Sequence, residues 1–278
     1  MTPDQLGLVH EDVSFKSRDG VKLFGWFLPA QGRVSGTVLF LHGNAENIST
    51  HIVSVAWLPA RGFNVFLVDY RGYGASEGKP ALEGVQRDID AAMKVLLERP
   101  DIDKNRIIVY GQSLGGALAA YNVAHSPYRN HIRALVVESA FSSYRGVTRE
   151  KLASFWLTWP FQWLPGLTVD ERFSPLRAIK SVSPIPTLII HGDRDQIVPV
   201  HHGQRLYDEA SEPKRLWIVP GADHIQAMRQ IAWQNQFVDY LREAVAQPRS
   251  SLSLRRKQGS GGADGTRTRD PRRDRPVF

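Results

Sequence analysis

Three positions in this chain have the residue types and the order that acyl transfer requires. Ser113 stands in Gly111-Gln112-Ser113-Leu114-Gly115, straight after the apolar run 107–110 and straight before the small residues 116–120. A strand that turns sharply into a helix needs small neighbours on both sides of the turn, because the two elements pass close together. Such a nucleophile elbow pushes a serine hydroxyl out at the end of a sheet. It also leaves the amide of Leu114 free at a helix N-terminus, where it can stabilise an oxyanion. A serine hydroxyl is a poor nucleophile until a base takes its proton. His224, in Val219-Pro220-Gly221-Ala222-Asp223-His224, is a histidine in a suitable loop. An acid of His191-Gly192-Asp193-Arg194-Asp195 can orient its ring and stabilise the imidazolium.

These positions meet only if the elements around them share one edge of a sheet. Residues 12–17 and 21–28 flank Asp19-Gly20, a strong hairpin turn, and read as opening antiparallel strands. Short apolar runs at 37–41, 63–68, 107–110, 134–137, 188–190 and 215–219 read as further strands. Helical spacing of apolar residues predicts helices over 48–58, 85–97, 201–210 and 225–245, with another through the Ala-rich run after Ser113. Strands alternating with helices give a mostly parallel sheet covered on both faces, an α/β fold. Ser113, the two acids and His224 then all follow carboxyl ends of strands, the edge where open α/β sheets bind ligands.

Composition excludes several other chemistries. The absence of cysteine rules out disulfides, thiolate metal sites and a thiol nucleophile. The first 16 residues lack a basic segment followed by an apolar run, so no secretory leader is expected and the expected location is cytoplasmic. No apolar run reaches the length of a membrane span. A length of 278 residues with 42% hydrophobic content suffices for one large core, or one core with an inserted cap. The net charge of +7 is concentrated at one end: residues 248–278 hold nine Lys and Arg against three Asp and Glu, leaving 26 against 25 in residues 1–247. Nucleic acid is therefore not an expected partner of the body. The 248–278 tail has too few apolar residues to fold and is expected to be disordered, with binding to a polyanion or an anionic lipid surface left open.

Six motifs run in one order: Asp19-Gly20 with Gly25-Trp26; His42-Gly43-Asn44-Ala45; Asp69-Tyr70-Arg71-Gly72-Tyr73-Gly74 with Ser76; the elbow; His191-Gly192 with Asp195 and Val198-Pro199; and Asp223-His224. On these the chain, over roughly residues 12–245, resembles an α/β-hydrolase-fold serine hydrolase. It is similar to the serine aminopeptidase-like group that includes the depalmitoylating hydrolases of eukaryotes. The order Ser, Asp, His is that of the α/β-hydrolase triad. The resemblance implies Ser113 as nucleophile, His224 as base and the second acid of the loop, Asp195 rather than Asp193, as its partner. The amides of Leu114 and Asn44 would form the oxyanion hole. No metal or organic cofactor is implied. A dehalogenase or epoxide hydrolase would carry an aspartate at position 113. The resemblance also implies a cap between the sixth and seventh strands, at about 141–186, where the strand–helix alternation lapses.

That segment holds Phe155, Trp156, Trp159, Phe161, Trp163 and Leu164, and Pro160 and Pro165 forbid one continuous helix. Its aromatics are expected to form a lid over an apolar acyl pocket, to touch a membrane peripherally, or to pack against the body. The other polar residues of the motifs have structural roles in prospect. Asp193 is expected to cap its loop, His42 and His191 to bond backbone, and Asp69 and Arg71 to pair or bond locally. Glu138 competes for the acid role. His201 and His202 are not expected to join His191 and Asp193 in a metal site. The expected activity is hydrolysis of a carboxylic ester, thioester or amide of a small-molecule or lipid-like acyl substrate through an acyl-enzyme. Peptidase or aminopeptidase activity and lipid or acyl-protein thioesterase activity are alternatives on the same residues. A binding module that keeps the fold is the non-enzymatic alternative.

Overall fold

The computed structural model describes residues 1–44, 47–154, 157–158 and 161–247; the 248–278 tail, Ala45, Glu46, Phe155, Trp156, Trp159 and Pro160 lie outside the described residues. The apolar runs become β1 (Glu11–Lys16), β2 (Lys22–Leu28), β3 (Gly36–Leu41), β4 (Phe63–Asp69), β5 (Ile107–Gln112), β6 (Ile132–Glu138), β7 (Thr187–Gly192) and β8 (Lys214–Val219). They form one sheet in the order β1-β2-β4-β3-β5-β6-β7-β8. The β1–β2 and β2–β4 pairs are antiparallel and every other pair is parallel. From β3 to β7 every strand is buried from end to end. This explains why those runs are continuously apolar, whereas the edge strand β1 alternates between exposed and half-buried residues.

Burial on both faces requires helices on both. The α-helices among the described residues are α1 (Ile48–His51), α2 (Leu82–Glu98), α3 (Leu114–His125), α4 (Tyr144–Ala153), α5 (Pro165–Thr168), α6 (Pro175–Ala178), α7 (His201–Glu209) and α8 (Ile231–Ala246). On one face Leu39, Phe66 and Val109 pack with Val85, Ile89 and Met93 of α2 and Leu118 of α3. On the other Phe40, Val65 and Tyr110 pack with Phe237 and Leu241 of α8 and with Ile48 and Ile52. Segment 139–186, between β6 and β7, holds α4, α5 and α6. Among the described residues no helix is long and apolar enough to cross a membrane.

Two helices differ from the sequence reading. The run 48–58 is not one helix: α1 ends at His51, a short 3-10 turn follows at Ile52–Ser54, and Ile52, Val55 and Leu58 still reach the core. Their spacing marked burial rather than continuous helix. The last helix starts at Ile231 rather than 225, because Ile225 has φ 53, in the left-handed region, and Gln230 is extended. A helix cannot run through either conformation.

Candidate active site

Ser113 sits between β5 and α3 with φ 53 and ψ −117. Its amide donates to the Glu138 carbonyl at 2.9 Å. The elbow is as tight as its glycines suggest: a Cβ on Gly111 would lie 2.2 Å from the Gly115 carbonyl oxygen, and one on Gly115 would lie 2.0 Å from that of Leu41. Leu114 opens α3, so its amide has no partner within the helix. The loop after β3 passes beside the serine. A Cβ on Gly43 would meet the Ser113 Cβ at 3.4 Å and the His51 ring at 3.1 Å. Asn44, next in that loop, accepts a hydrogen bond from the Tyr73 hydroxyl through Oδ1 at 2.9 Å.

Asp195 follows β7 and its side chain is fully buried. Its Oδ1 accepts the amides of Ile197 (2.9 Å) and Val198 (2.8 Å). Its Oδ2 lies 2.8 Å from His224 Nδ1 and 3.4 Å from His191 Nε2. Burial pushes this carboxyl up, but hydrogen bonds from His191, His224 and Val198 outweigh it and hold Asp195 well below the usual carboxylate range. An ionised Asp195 accepts only, so His224 Nδ1 carries a proton and Nε2 of the neutral ring is left as a base.

The loop carrying His224 is tied to the end of β6. The Ile225 amide donates to Ser139 Oγ at 3.2 Å, and the Ser139 amide donates to the Ile190 carbonyl at 2.8 Å. Among the described residues three non-glycines have left-handed φ: Ser113, Ser139 and Ile225. All three surround this site, where strain of order 1–3 kcal/mol per residue is commonly held.

The structure therefore joins Asp195 to His224 and sets Ser113 on the same sheet edge. Among the described residues no hydrogen bond links Ser113 Oγ to His224; such bonds often close only with substrate bound. Asp193 does not touch His224. It accepts the Gly221 amide at 2.7 Å, so it holds the neighbouring loop rather than capping its own. Glu138 bonds the Tyr110 hydroxyl and Gln112 Nε2, and burial pushes its carboxyl up. His42 Nδ1 meets the Gly43 carbonyl at 2.7 Å and His191 Nε2 the Val198 carbonyl at 2.8 Å, both backbone contacts as expected. Asp69 bonds the Ala75 amide of its own loop, as expected, but it and Arg71 also reach beyond that loop. Arg71 reaches Asp19 (2.8 Å) and Asp88 (2.7 Å), while Asp69 accepts the Ile48 amide at 2.9 Å. These partners lie in other elements, a backbone amide for Asp69 and two carboxylates for Arg71, which the local sequence does not display.

His201 and His202 meet Glu150 of α4 instead of His191 and Asp193, and the three ligand atoms lie within 4.8 Å of one another. The Ser142 amide donates to His202 Nδ1 at 3.2 Å, so in the neutral ring the proton is on Nε2, which faces Glu150 at 3.0 Å. That tautomer leaves Nε2 without a lone pair for a metal.

Two spaces adjoin the site. A cavity of about 450 Å³ is lined by Ser113 and Leu114 together with Val85, Phe141, Tyr144 and Val147. An open groove of about 920 Å³ is lined by His224, His51, Arg194 and Arg229. Ile197 borders both. Of the aromatics singled out in the sequence, Phe161 and Trp163 are 50% and 62% exposed and are not among the cavity's described lining residues, while Phe155, Trp156 and Trp159 lie outside the described residues. Sequence reasoning missed Tyr144, Val147 and His51. Tyr144 and Val147 had a signal, three-residue spacing on one helix, but His51 had none.

The family described as serine aminopeptidase, S33, matches residues 32–183. Over 242 residues the chain is 38% identical to the uncharacterized protein YfhR of Escherichia coli strain K12, covering 84% of this chain and 81% of that protein. It is 35% identical over 224 residues to the alpha/beta hydrolase domain-containing protein WAV2 of Arabidopsis thaliana, covering 76% and 70%. Among solved structures, the esterase Pf2001 of Pyrococcus furiosus superposes with a TM-score of 0.68 at 25% identity, covering 88% of this chain and 93% of that one.

Proposed function

Since this chain belongs to the serine aminopeptidase S33 family of α/β hydrolases, we propose that it is a serine esterase acting through Ser113, His224 and Asp195. The observation that carries this reading is the 2.8 Å contact between Asp195 and His224 on the edge where the elbow presents Ser113. Ser113 Oγ attacks the ester carbonyl and passes its proton to His224 Nε2. The amides of Leu114 and Asn44 receive the negative charge that develops on the carbonyl oxygen. His224 then gives the proton to the leaving oxygen, and the alcohol departs from an acyl-enzyme. Water, deprotonated by the same imidazole, adds to the acyl carbonyl, and Ser113 leaves with that proton.

The cavity beside Ser113 is apolar over most of its wall, which supports an aliphatic or aromatic acyl group as the part of the substrate bound there. In this reading α4 belongs to a cap over the acyl group. Thioesters and amides fit the same machinery, and an ester demands least of the proton-donation step. The test is hydrolysis of p-nitrophenyl acyl esters from acetyl to dodecanoyl by the protein and by Ser113→Ala. Turnover should fall by at least about 10³-fold in the variant, with a wild-type optimum beyond acetyl. A variant as active as the wild type overturns the nucleophile assignment, and an acetyl optimum overturns the acyl cavity.

A further inference from the structure

We infer that this hydrolase selects substrates whose leaving group carries an anion, bound by Arg194 and Arg229; the inference rests on the triad proposed above. The chemistry itself says which half of an ester each space receives. His224 must hand a proton to the leaving oxygen, so the leaving group lies on the His224 side. The groove of about 920 Å³ is lined by His224 and not by Ser113. The cavity of about 450 Å³ is lined by Ser113 and Leu114 and not by His224. The acyl group therefore takes the cavity and the leaving group takes the groove. Ile197 borders both, so one substrate spans them.

The groove holds two guanidinium groups that are unpaired among the described residues, whereas the one cation among the cavity's described lining residues, Lys151, donates to the Gln196 carbonyl at 3.4 Å. Arg194 immediately precedes Asp195, and its amide is fixed to the Ala222 carbonyl at 3.1 Å. Arg229 ends the short turn Ala227–Arg229, and its amide is fixed to the Gln226 carbonyl at 3.1 Å. The loops that carry Asp195 and His224 thus each carry one arginine into the groove. Among the described residues neither guanidinium has an ion-pair or hydrogen-bond partner. Arg71, Arg99 and Arg215, by contrast, are all paired with acids. Asp223 is the one acid among the groove's described lining residues, so two cations face a single carboxylate. Guanidinium forks suit carboxylate and phosphate alike, and an anion there would receive the charge-assisted bonds these arginines leave unmade.

The test uses butyrate esters of three benzylic alcohols that differ only in the para substituent: carboxylate, phosphonate, or neutral carboxamide. For the wild type, kcat/KM on the anionic esters should exceed that on the carboxamide by about tenfold at low salt, and added salt should shrink the ratio. Arg194→Gln and Arg229→Gln should each lower the ratio several-fold, and the double variant should bring it close to one. Whichever anion gives the larger ratio identifies the group the groove is shaped for. A wild-type ratio of one, or a ratio that the substitutions leave unchanged, overturns the inference. Ser113→Ala on the carboxamide ester reports on the triad separately. Retained hydrolysis there would sink the triad, whereas Ser113-dependent hydrolysis with a ratio of one would sink the charge selection alone.

Discussion

The two oxygens of Asp195 have different tasks, and one substitution separates them. Oδ1 gathers the amides of Ile197 and Val198 and so shapes the loop, while Oδ2 faces His224 Nδ1 and so sets the imidazole. Asp195→Asn keeps an acceptor for the two amides and presents an N–H to the ring. His224 then accepts at Nδ1 and carries its proton on Nε2, where it cannot serve as a base. In the proposed mechanism kcat should fall by roughly 10³- to 10⁴-fold, with the fold retained by circular dichroism. Asp193→Asn is the control, because Asp193 holds the Gly221 amide and not the imidazole. If Asp193→Asn lost as much activity as Asp195→Asn, the assignment of the acid would be reversed. This choice was legible in the sequence only through the family pattern, since two acids two residues apart in one loop have the same local chemistry.

At the scale of elements, legibility followed the range of the interaction that decides each feature. Buried strands announce themselves because both faces are covered and every position must be apolar, as in β3 to β7. The elbow announces itself because its constraint is local: a side chain at Gly111 or Gly115 would collide with backbone. Where partners are far apart in the chain, nothing local marks them. Arg71 finds Asp19 at 52 residues' separation and Asp88 at 17. The start of α8 was misplaced because the apolar residues before it, Ala227 and Met228, are buried by a short turn instead of a helix. In segment 139–186 the density of aromatics drew attention to residues 155–164, four of which lie outside the described residues, while Phe141 and Tyr144 and Val147 of α4 are among the cavity's described lining residues. This makes α4 the element to alter. Val147→Trp puts an indole into the cavity, and it should shift the acyl optimum toward shorter chains, lowering kcat/KM for decanoyl relative to acetyl ester by about tenfold or more. An unchanged profile in the p-nitrophenyl series would show that the acyl group lies elsewhere.

For the molecule as a whole, residues 1–247 are almost electrically balanced, so a few buried groups rather than overall repulsion govern how its stability answers to pH. His42 and Asp69 are the pair to watch. His42 Nε2 lies 3.5 Å from Asp69 Oδ1, and both side chains are almost wholly buried. Burial pulls His42 down from its ordinary 6.5 to about 3 and pushes Asp69 up from 3.8 to about 6. For His42 the unfolded chain takes up a proton that the native state refuses, so stability is lost as pH falls below 6.5. For Asp69 the native state keeps a proton that the unfolded chain gives up, so stability present below 3.8 is lost as pH rises through 6. Between about pH 4 and 6 the two slopes oppose each other, because the pair holds one proton in either state: on the carboxyl when folded and on the imidazole when unfolded. Asp69→Asn removes one side of this balance while leaving an acceptor for the Ile48 amide. Relative to wild type, the variant should therefore gain stability steadily from pH 4 to pH 6, by up to about 3 kcal/mol in total for a shift of roughly two units. Urea unfolding of both proteins at pH 4, 5 and 6 measures it. Parallel stability curves would mean that Asp69 titrates at its ordinary pKa and that the contact with His42 joins an ionised carboxylate instead of two neutral groups.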